Sequence, residues 1–255
     1  MGTIKSPALI IKSMNWRDSS RILSLFTRDF GRLDVIAKGV NRSKSNTTGI
    51  LEPLNLIEAV IYFSENRELQ ILGKVDLGTA FVGIRSDLEK MKYGLSILEI
   101  LYVFFRDHNP VTEFYDFVVY MMVELEMGTA AKKIFWYFML KLTSYLGFKP
   151  EFKLCHICGE EIKGTNINFS YESGSVICLR CGNPEVSGTK LSSELCSYLA
   201  ELQSTHYKKI YSVKDPVISD NEITIFLQNY LRYHTSQKLE LNAIKYYELT
   251  RKNNT

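Results

Sequence analysis

The chain has 255 residues, 45% of them hydrophobic and 23% charged, the balance of a soluble globular protein long enough for one large domain or two to three small ones. A net charge of +3 is too small to name a partner, and no run approaches the roughly 18 apolar residues of a membrane span. The opening MGTIKSPALIIKSMNWRDSS meets Arg17 and Asp18 before a long apolar core can form, so no secretory signal is expected and the cytoplasm is the expected setting.

In chain order, PALIIKS, SRILSLFT, RLDVIAKG, LNLIEAVIYF and LQILGKVDLG are apolar or alternating runs rich in Ile, Leu and Val. They are expected to form five strands. TRDFGR is a short turn in which Gly31 is free to take positive φ, and SENRE is a second hairpin turn. GVNRSKSNTTG is a long polar loop between the third and fourth strands. Five short strands with one long polar loop suit a small barrel, for which the OB-fold is the five-stranded candidate.

The hydrophobic period changes around Ser86. Ser86 and Glu89 form an S-x-x-E capping box, and behind it Met91, Leu95, Leu98, Tyr102 and Phe105 recur at helical spacing. Thr112 opens a second helix with Phe114, Phe117, Val118, Met121 and Leu125 inward and Gly128 as its C-cap. Thr129 opens a third, closed by Gly147. SSELCSYLAELQS, and a Ser219–Glu222 capping box before ITIFLQNYLRYHT, predict at least two more. The expected fold is α+β and multidomain. A strand domain over 1–80 precedes a helical bundle over 81–255, interrupted by a cysteine module at about 152–184. The aromatic stretches YVFF, EFYDF and IFWYF read as core, with part of the excess available to line a groove for a partner peptide.

Four of the five cysteines form two pairs, Cys155-x2-Cys158 and Cys178-x2-Cys181, with nineteen residues between. In a reducing compartment such pairs are metal ligands or redox groups rather than disulfides. Two residues between cysteines let a tight turn aim both sulfurs at one point, and two such knuckles complete a tetrahedron suited to zinc. A redox dithiol or an iron–sulfur cluster are the other chemistries open to this set. Gly159 and Gly182 follow the second cysteine of each pair, where the knuckle needs room, and INFSYESGSVI reads as a hairpin turning at Gly174, so the module is ribbon-like. Four thiolates leave no coordination position for water, so the expected zinc is structural. None of the four histidines stands in the H-x-E of zinc deaminases, and Leu154 and Ile177 occupy the positions where Pro would precede each pair. His156 is read as a bystander inside the first knuckle, and Cys196 as a small buried hydrophobe beside Leu195 and Leu199.

No motif suggests catalysis. Gly73-Lys74 is followed by Val75 rather than Ser or Thr, there is no GxSxG and no HExxH, and acidic residues are scattered. The charge, in contrast, is concentrated. Residues 1–49 carry nine Lys or Arg against three Asp or Glu, and residues 50–80 carry two against five. Arg17, Arg21, Arg28, Arg32, Lys38, Arg42 and Lys44 fall within 28 positions, interleaved with Trp16, Phe26 and Phe30. Cationic tracks with stacking platforms are how OB-type barrels hold single strands, so Arg17, Arg21, Arg32, Lys38, Arg42 and Lys44 are the candidate nucleic-acid contacts.

SRILSLFTRDFGRLDVIAKGVNRSKS and GILEPLNLIEAVIYF resemble the N-terminal domain of the RecO recombination mediators: a Phe-Thr-Arg, a turn Gly, and an Ala-Lys-Gly before a basic Ser-containing loop. LTSYLGFKPEFKLCHICG is similar to the family's Leu-Gly…Pro…Cys-x-x-Cys-Gly junction. The likeness spans nearly the whole chain in the same domain order. It implies an OB-fold followed by an α-helical domain with a zinc module, and binding of single- and double-stranded DNA. It further implies annealing of complementary strands without nucleotide hydrolysis. The partners it implies are RecR and single-stranded DNA-binding protein, whose coat on DNA the mediator helps the recombinase to enter. By position, Lys38, Arg42 and Lys44 become DNA contacts, and Cys155, Cys158, Cys178 and Cys181 the zinc ligands. One stretch departs: YHTSQKLELNAIKYYE keeps Tyr233-His234 but has Glu240, Leu241 and Asn242 where the family often has a basic Lys-Ser-Arg. Two readings outside the family stand beside this one, a zinc-ribbon RNA-binding or transcription-associated factor and a metal-dependent nucleic-acid enzyme.

Overall fold

A computed structural model describes residues 2–40, 48–106, 108–182 and 188–253. Five strands form a closed barrel of order β1-β2-β3-β5-β4, built from Gly2–Trp16, Ser20–Thr27, Gly31–Ala37, Leu56–Phe63 (β4) and Leu69–Thr79 (β5). All neighbours are antiparallel except β3 and β5. This is the OB-fold, with the five strands where the alternating runs predict them. The long β1 closes the barrel, because its first half pairs with β4 and its second half with β2, with a register shift between Ile10 and Lys12. Alternation sends Ala8, Ile10, Leu23, Leu25, Leu33, Val35, Ile57, Ala59 and Ile61 into one core.

By packing, the described chain forms two compact units, residues 1–131 with 240–255, and residues 132–239. In the first unit the barrel is joined by α1 (Val82–Ser86), α2 (Leu88–Phe104), α3 (Thr112–Met127) and α7 (Asn242–Asn253). The expected cap moves by one residue: Asp87, not Ser86, accepts from the backbone N–H of Glu89 and Lys90, while Ser86 closes α1 by donating to Gly83. Asp wins because its carboxylate meets two unpaired N–H groups and the positive end of the helix. The buried stripe of α2 is also rotated from the expected one, to Tyr93, Ile97, Leu98, Ile100 and Leu101. This helix packs against β1, β2, α1, α3 and α7, so it buries more than one face.

Glu99 of α2 accepts a hydrogen bond from the backbone N–H of Ala243 at the start of α7 (3.3 Å). Burial pushes its carboxyl up to about 7, against backbone and side-chain hydrogen bonds from Ala243 and Asn242. A carboxyl pKa raised by folding stabilises the fold below the ordinary carboxylate range, and that contribution is lost as pH rises through about 7. Glu99→Gln keeps an acceptor without the buried charge. Its thermal midpoint is expected to exceed the unmodified chain's at pH 8 and to match it at pH 5; a variant less stable at pH 8 overturns the assignment.

The second unit holds the rest of α4 (Ala131–Tyr145), α5 (Ser193–Ser204) and α6 (Asp220–Thr235), with a three-stranded sheet of order β7-β6-β8 from Asn166–Ser170 (β6), Ser175–Ile177 and Thr189–Ser192. The hairpin turns at Gly174 as expected. The IFWYF stretch is core: Ile134, Phe135, Trp136, Tyr137 and Phe138 are all buried, and the Trp136 indole N–H donates to Thr224 Oγ1 at 2.9 Å. Cys196 is buried too, which pushes its thiol up to about 12. Among the described residues no helix is long and apolar enough to cross a membrane.

Candidate nucleic-acid interface and metal centre

The barrel sorts the candidate cations by what each already touches. Arg21 is only 13% exposed and pairs with Glu52 at 2.7 Å. Arg32, 16% exposed, donates to the Tyr102 carbonyl at 2.7 Å and lies 4.7 Å from that residue's ring centroid. Both guanidinium groups are engaged within the fold, Arg21 by Glu52 and Arg32 by the Tyr102 carbonyl. Arg28 is likewise engaged, in a two-point bridge to Asp116 with both contacts at 2.9 Å; the hydrogen bond and the carboxylate's charge raise its pKa. Arg17 and Lys38 are exposed. Arg17 sits in the turn between β1 and β2 with φ 54, a left-handed backbone that residues with a Cβ seldom adopt. Lys38 follows the last residue of β3. Arg42 and Lys44 lie outside the described residues.

The aromatic residues divide in the same way. Phe26 is fully buried against Phe105 and Tyr115, and Phe30 packs against the barrel core beside Phe63, so neither is a stacking platform. Trp16 is 42% exposed.

What periodicity did not reveal is a row running around the barrel. Met14 pairs with Ile22, Ile22 with Ile36, Ile36 with Ile71, and Ile71 with Tyr62. Direct cross-strand partners share a face, so these five point outward together while Leu23, Val35, Ile61 and Leu72 point in. Met14 is 47% exposed and Tyr62 43%, and the three isoleucines between them are half-buried. The signal was present in the alternation of each strand, but only the register joins the five into one surface.

The four cysteines converge. Their sulfurs all lie within 4.8 Å of one another, and Cys158 Sγ is 3.8 Å from Cys178 Sγ. A tetrahedral site with metal–sulfur bonds of about 2.3 Å has edges of about 3.8 Å, so the cluster is the right size to hold a metal ion. Each knuckle is closed by its own backbone: Gly159 N–H donates to Cys155 O at 2.8 Å, with φ 72 at Gly159, and Gly182 N–H donates to Cys178 O at 2.8 Å. Burial raises the Cys155 thiol pKa, but N–H groups of Cys178, Cys158 and Ile157 aimed at its sulfur outweigh this and bring it down to about 6. Hydrogen bonds with Cys178 and Cys158 hold Cys181 up at about 12. His156 is exposed and outside the cluster.

Comparison with known proteins gives a consistent result. A family model described as "Recombination protein O N terminal" matches residues 1–81, and one described as "Recombination protein O C terminal" matches residues 85–242. The chain is 25% identical over 240 residues to "DNA repair protein RecO" of Desulforamulus reducens, covering 94% of this chain and 93% of that one. It is 28% identical over 236 residues to the protein of the same name from Caldanaerobacter subterraneus subsp. tengcongensis, covering 92% and 94%. With that of Dehalococcoides mccartyi the identity is 27% over 223 residues, 87% of each chain.

Proposed function

The chain belongs to the RecO family, and we propose that it is a DNA-binding recombination mediator in recombinational repair that works by binding alone. Relatives named as DNA repair proteins along nearly their whole length support the setting. The observation that carries the mechanism is the outward apolar row from Met14 to Tyr62 on a barrel whose rim bears Arg17 and Lys38. Apolar side chains accept unstacked base faces while the cations neutralise phosphates, so two strands held near one such surface repel each other less and pair faster. Arg42 and Lys44 join Arg17 and Lys38 in this role. Arg21 and Arg32 support it indirectly by holding the barrel wall.

Cys155, Cys158, Cys178 and Cys181 are the proposed ligands of a structural zinc ion. Four thiolate donors at that spacing suit zinc, whose binding supplies folding free energy to the module. We propose the functional division at about residue 80, with the strand domain (1–80) meeting DNA and the helical domain (81–255), interrupted by the zinc module at about 152–184, meeting proteins. The partners proposed are single- and double-stranded DNA, RecR and the C-terminal tail of single-stranded DNA-binding protein, in the cytoplasm and with no nucleotide substrate.

The test is annealing of complementary oligonucleotides without ATP, with bare strands and with strands coated by single-stranded DNA-binding protein. Faster duplex formation is expected in both. No acceleration in either sinks the proposal.

A further inference from the structure

β3 and β5 pair over only three positions, Asp34 to Ile36 with Leu69 to Ile71. Beyond Ile36 and Ile71 the described backbone separates around a depression of about 340 Å³, whose lining includes Lys38, Gly39, Gly73 and Lys74. On its other edge β5 carries a bulge: Ala59 pairs with Val75 and Ile61 with Leu72, so two residues, Gly73 and Lys74, oppose the single Val60. A bulge re-aims the side chains it carries. Here Leu72 and Val75 remain on the core side, and Lys74 stands out with 73% of its side chain exposed. Its ion pair with Asp76, itself 58% exposed, lies at the surface, where such pairs contribute little and exchange readily for another anion.

Tyr62 ends the apolar row at this bulge. A Cβ on Gly73 would lie 2.9 Å from the Tyr62 ring, so the ring lies against the Gly73 backbone, where a side chain would push it aside. Tyr62 is 43% exposed. An exposed aromatic ring against Gly73, with Lys74 next in the chain and Lys38 across the depression, offers a π-surface for the base of one nucleotide and ammonium groups for its phosphate.

We propose that Tyr62, Lys74 and Lys38 form a one-nucleotide subsite specific for unpaired bases, resting on the DNA-binding reading above. A base inside a duplex is stacked on both sides and offers no face to Tyr62, whereas both nucleic-acid forms offer phosphates. Tyr62 therefore discriminates single strands from duplex, and the lysines do not.

The test uses the full chain with a short labelled oligothymidylate and a blunt duplex of equal length, measuring Kd by anisotropy for Tyr62→Ala, Tyr62→Phe and Lys74→Gln. Tyr62→Ala is expected to weaken single-strand binding about fivefold or more, the effect of one lost stack, with duplex affinity held within about twofold. Tyr62→Phe should restore it. Lys74→Gln should weaken both ligands and flatten the dependence of log Kd on log salt by about one phosphate. Thermal melts confirm that each variant is folded, and Gly73→Ala, which tilts the ring, supplies a second variant should Tyr62→Ala unfold. Equal loss on both ligands, or none on the single strand, overturns the subsite alone. An unmodified chain that binds neither ligand overturns the subsite together with the DNA-binding reading.

Discussion

Cys178→Ser is expected to take the purified chain from one bound metal ion per molecule to nearly none. The sulfur it removes is 3.8 Å from Cys158 Sγ, and the Cys178 backbone N–H also donates to Cys155 Sγ at 3.4 Å, so this residue of the second knuckle touches both cysteines of the first. A structural zinc contributes about 10 kcal/mol or more at neutral pH, and three thiolates with a serine forfeit much of that. The segment over 152–184 should then become the first site of limited proteolysis, and the first thermal transition should move down. The barrel has its own core and should retain its salt-sensitive hold on DNA. Metal analysis decides the matter: a full equivalent of zinc in Cys178→Ser removes Cys178 from the ligand set.

The second large effect concerns charge. Replacing Lys38, Arg42 and Lys44 together with Ala should weaken binding to single strands about tenfold or more at moderate salt, with the melting temperature unchanged. Three lost phosphate contacts, each releasing about 0.7 of a counterion from a single strand, should flatten the plot of log Kd against log salt by about two. Affinity and slope that both stay put would remove this edge of the barrel from the interface. A fall in melting temperature is not expected, since Lys38 is exposed and follows the end of its strand.

The five strands, their order of use and the two knuckles were legible because period-two alternation and C-x-x-C spacing are local signals. Three features were not, and each depends on a partner distant in the chain. Arg21 and Arg32 read as candidate nucleic-acid contacts, and nothing local in the sequence announces that Glu52 and the Tyr102 carbonyl stand beside them. Phe26 looked like a platform, but Phe105 and Tyr115 cover it. The apolar row from Met14 to Tyr62 exists only through strand register, and the bulge that presents Lys74 is a one-residue mismatch between β4 and β5. The helix α7 escaped notice because its Tyr247 packs on Lys92 of α2, a contact that helical periodicity within 242–253 does not announce. Glu240, Leu241 and Asn242, which depart from the family's basic triplet, lead into that helix: Leu241 is buried, Glu240 pairs with Lys245 at 3.3 Å, and Asn242 is its first residue.

Because residues 240–255 belong to the same compact unit as α2 but follow the 132–239 unit in the chain, the order of synthesis and the order of completion differ. A ribosome releases the barrel first, yet the helical wall beside it waits for its final piece until the intervening hundred or so residues have emerged. Translation stalled or cut short before residue 240 would leave the α2 surface without its cover, a nascent state suited to chaperone capture.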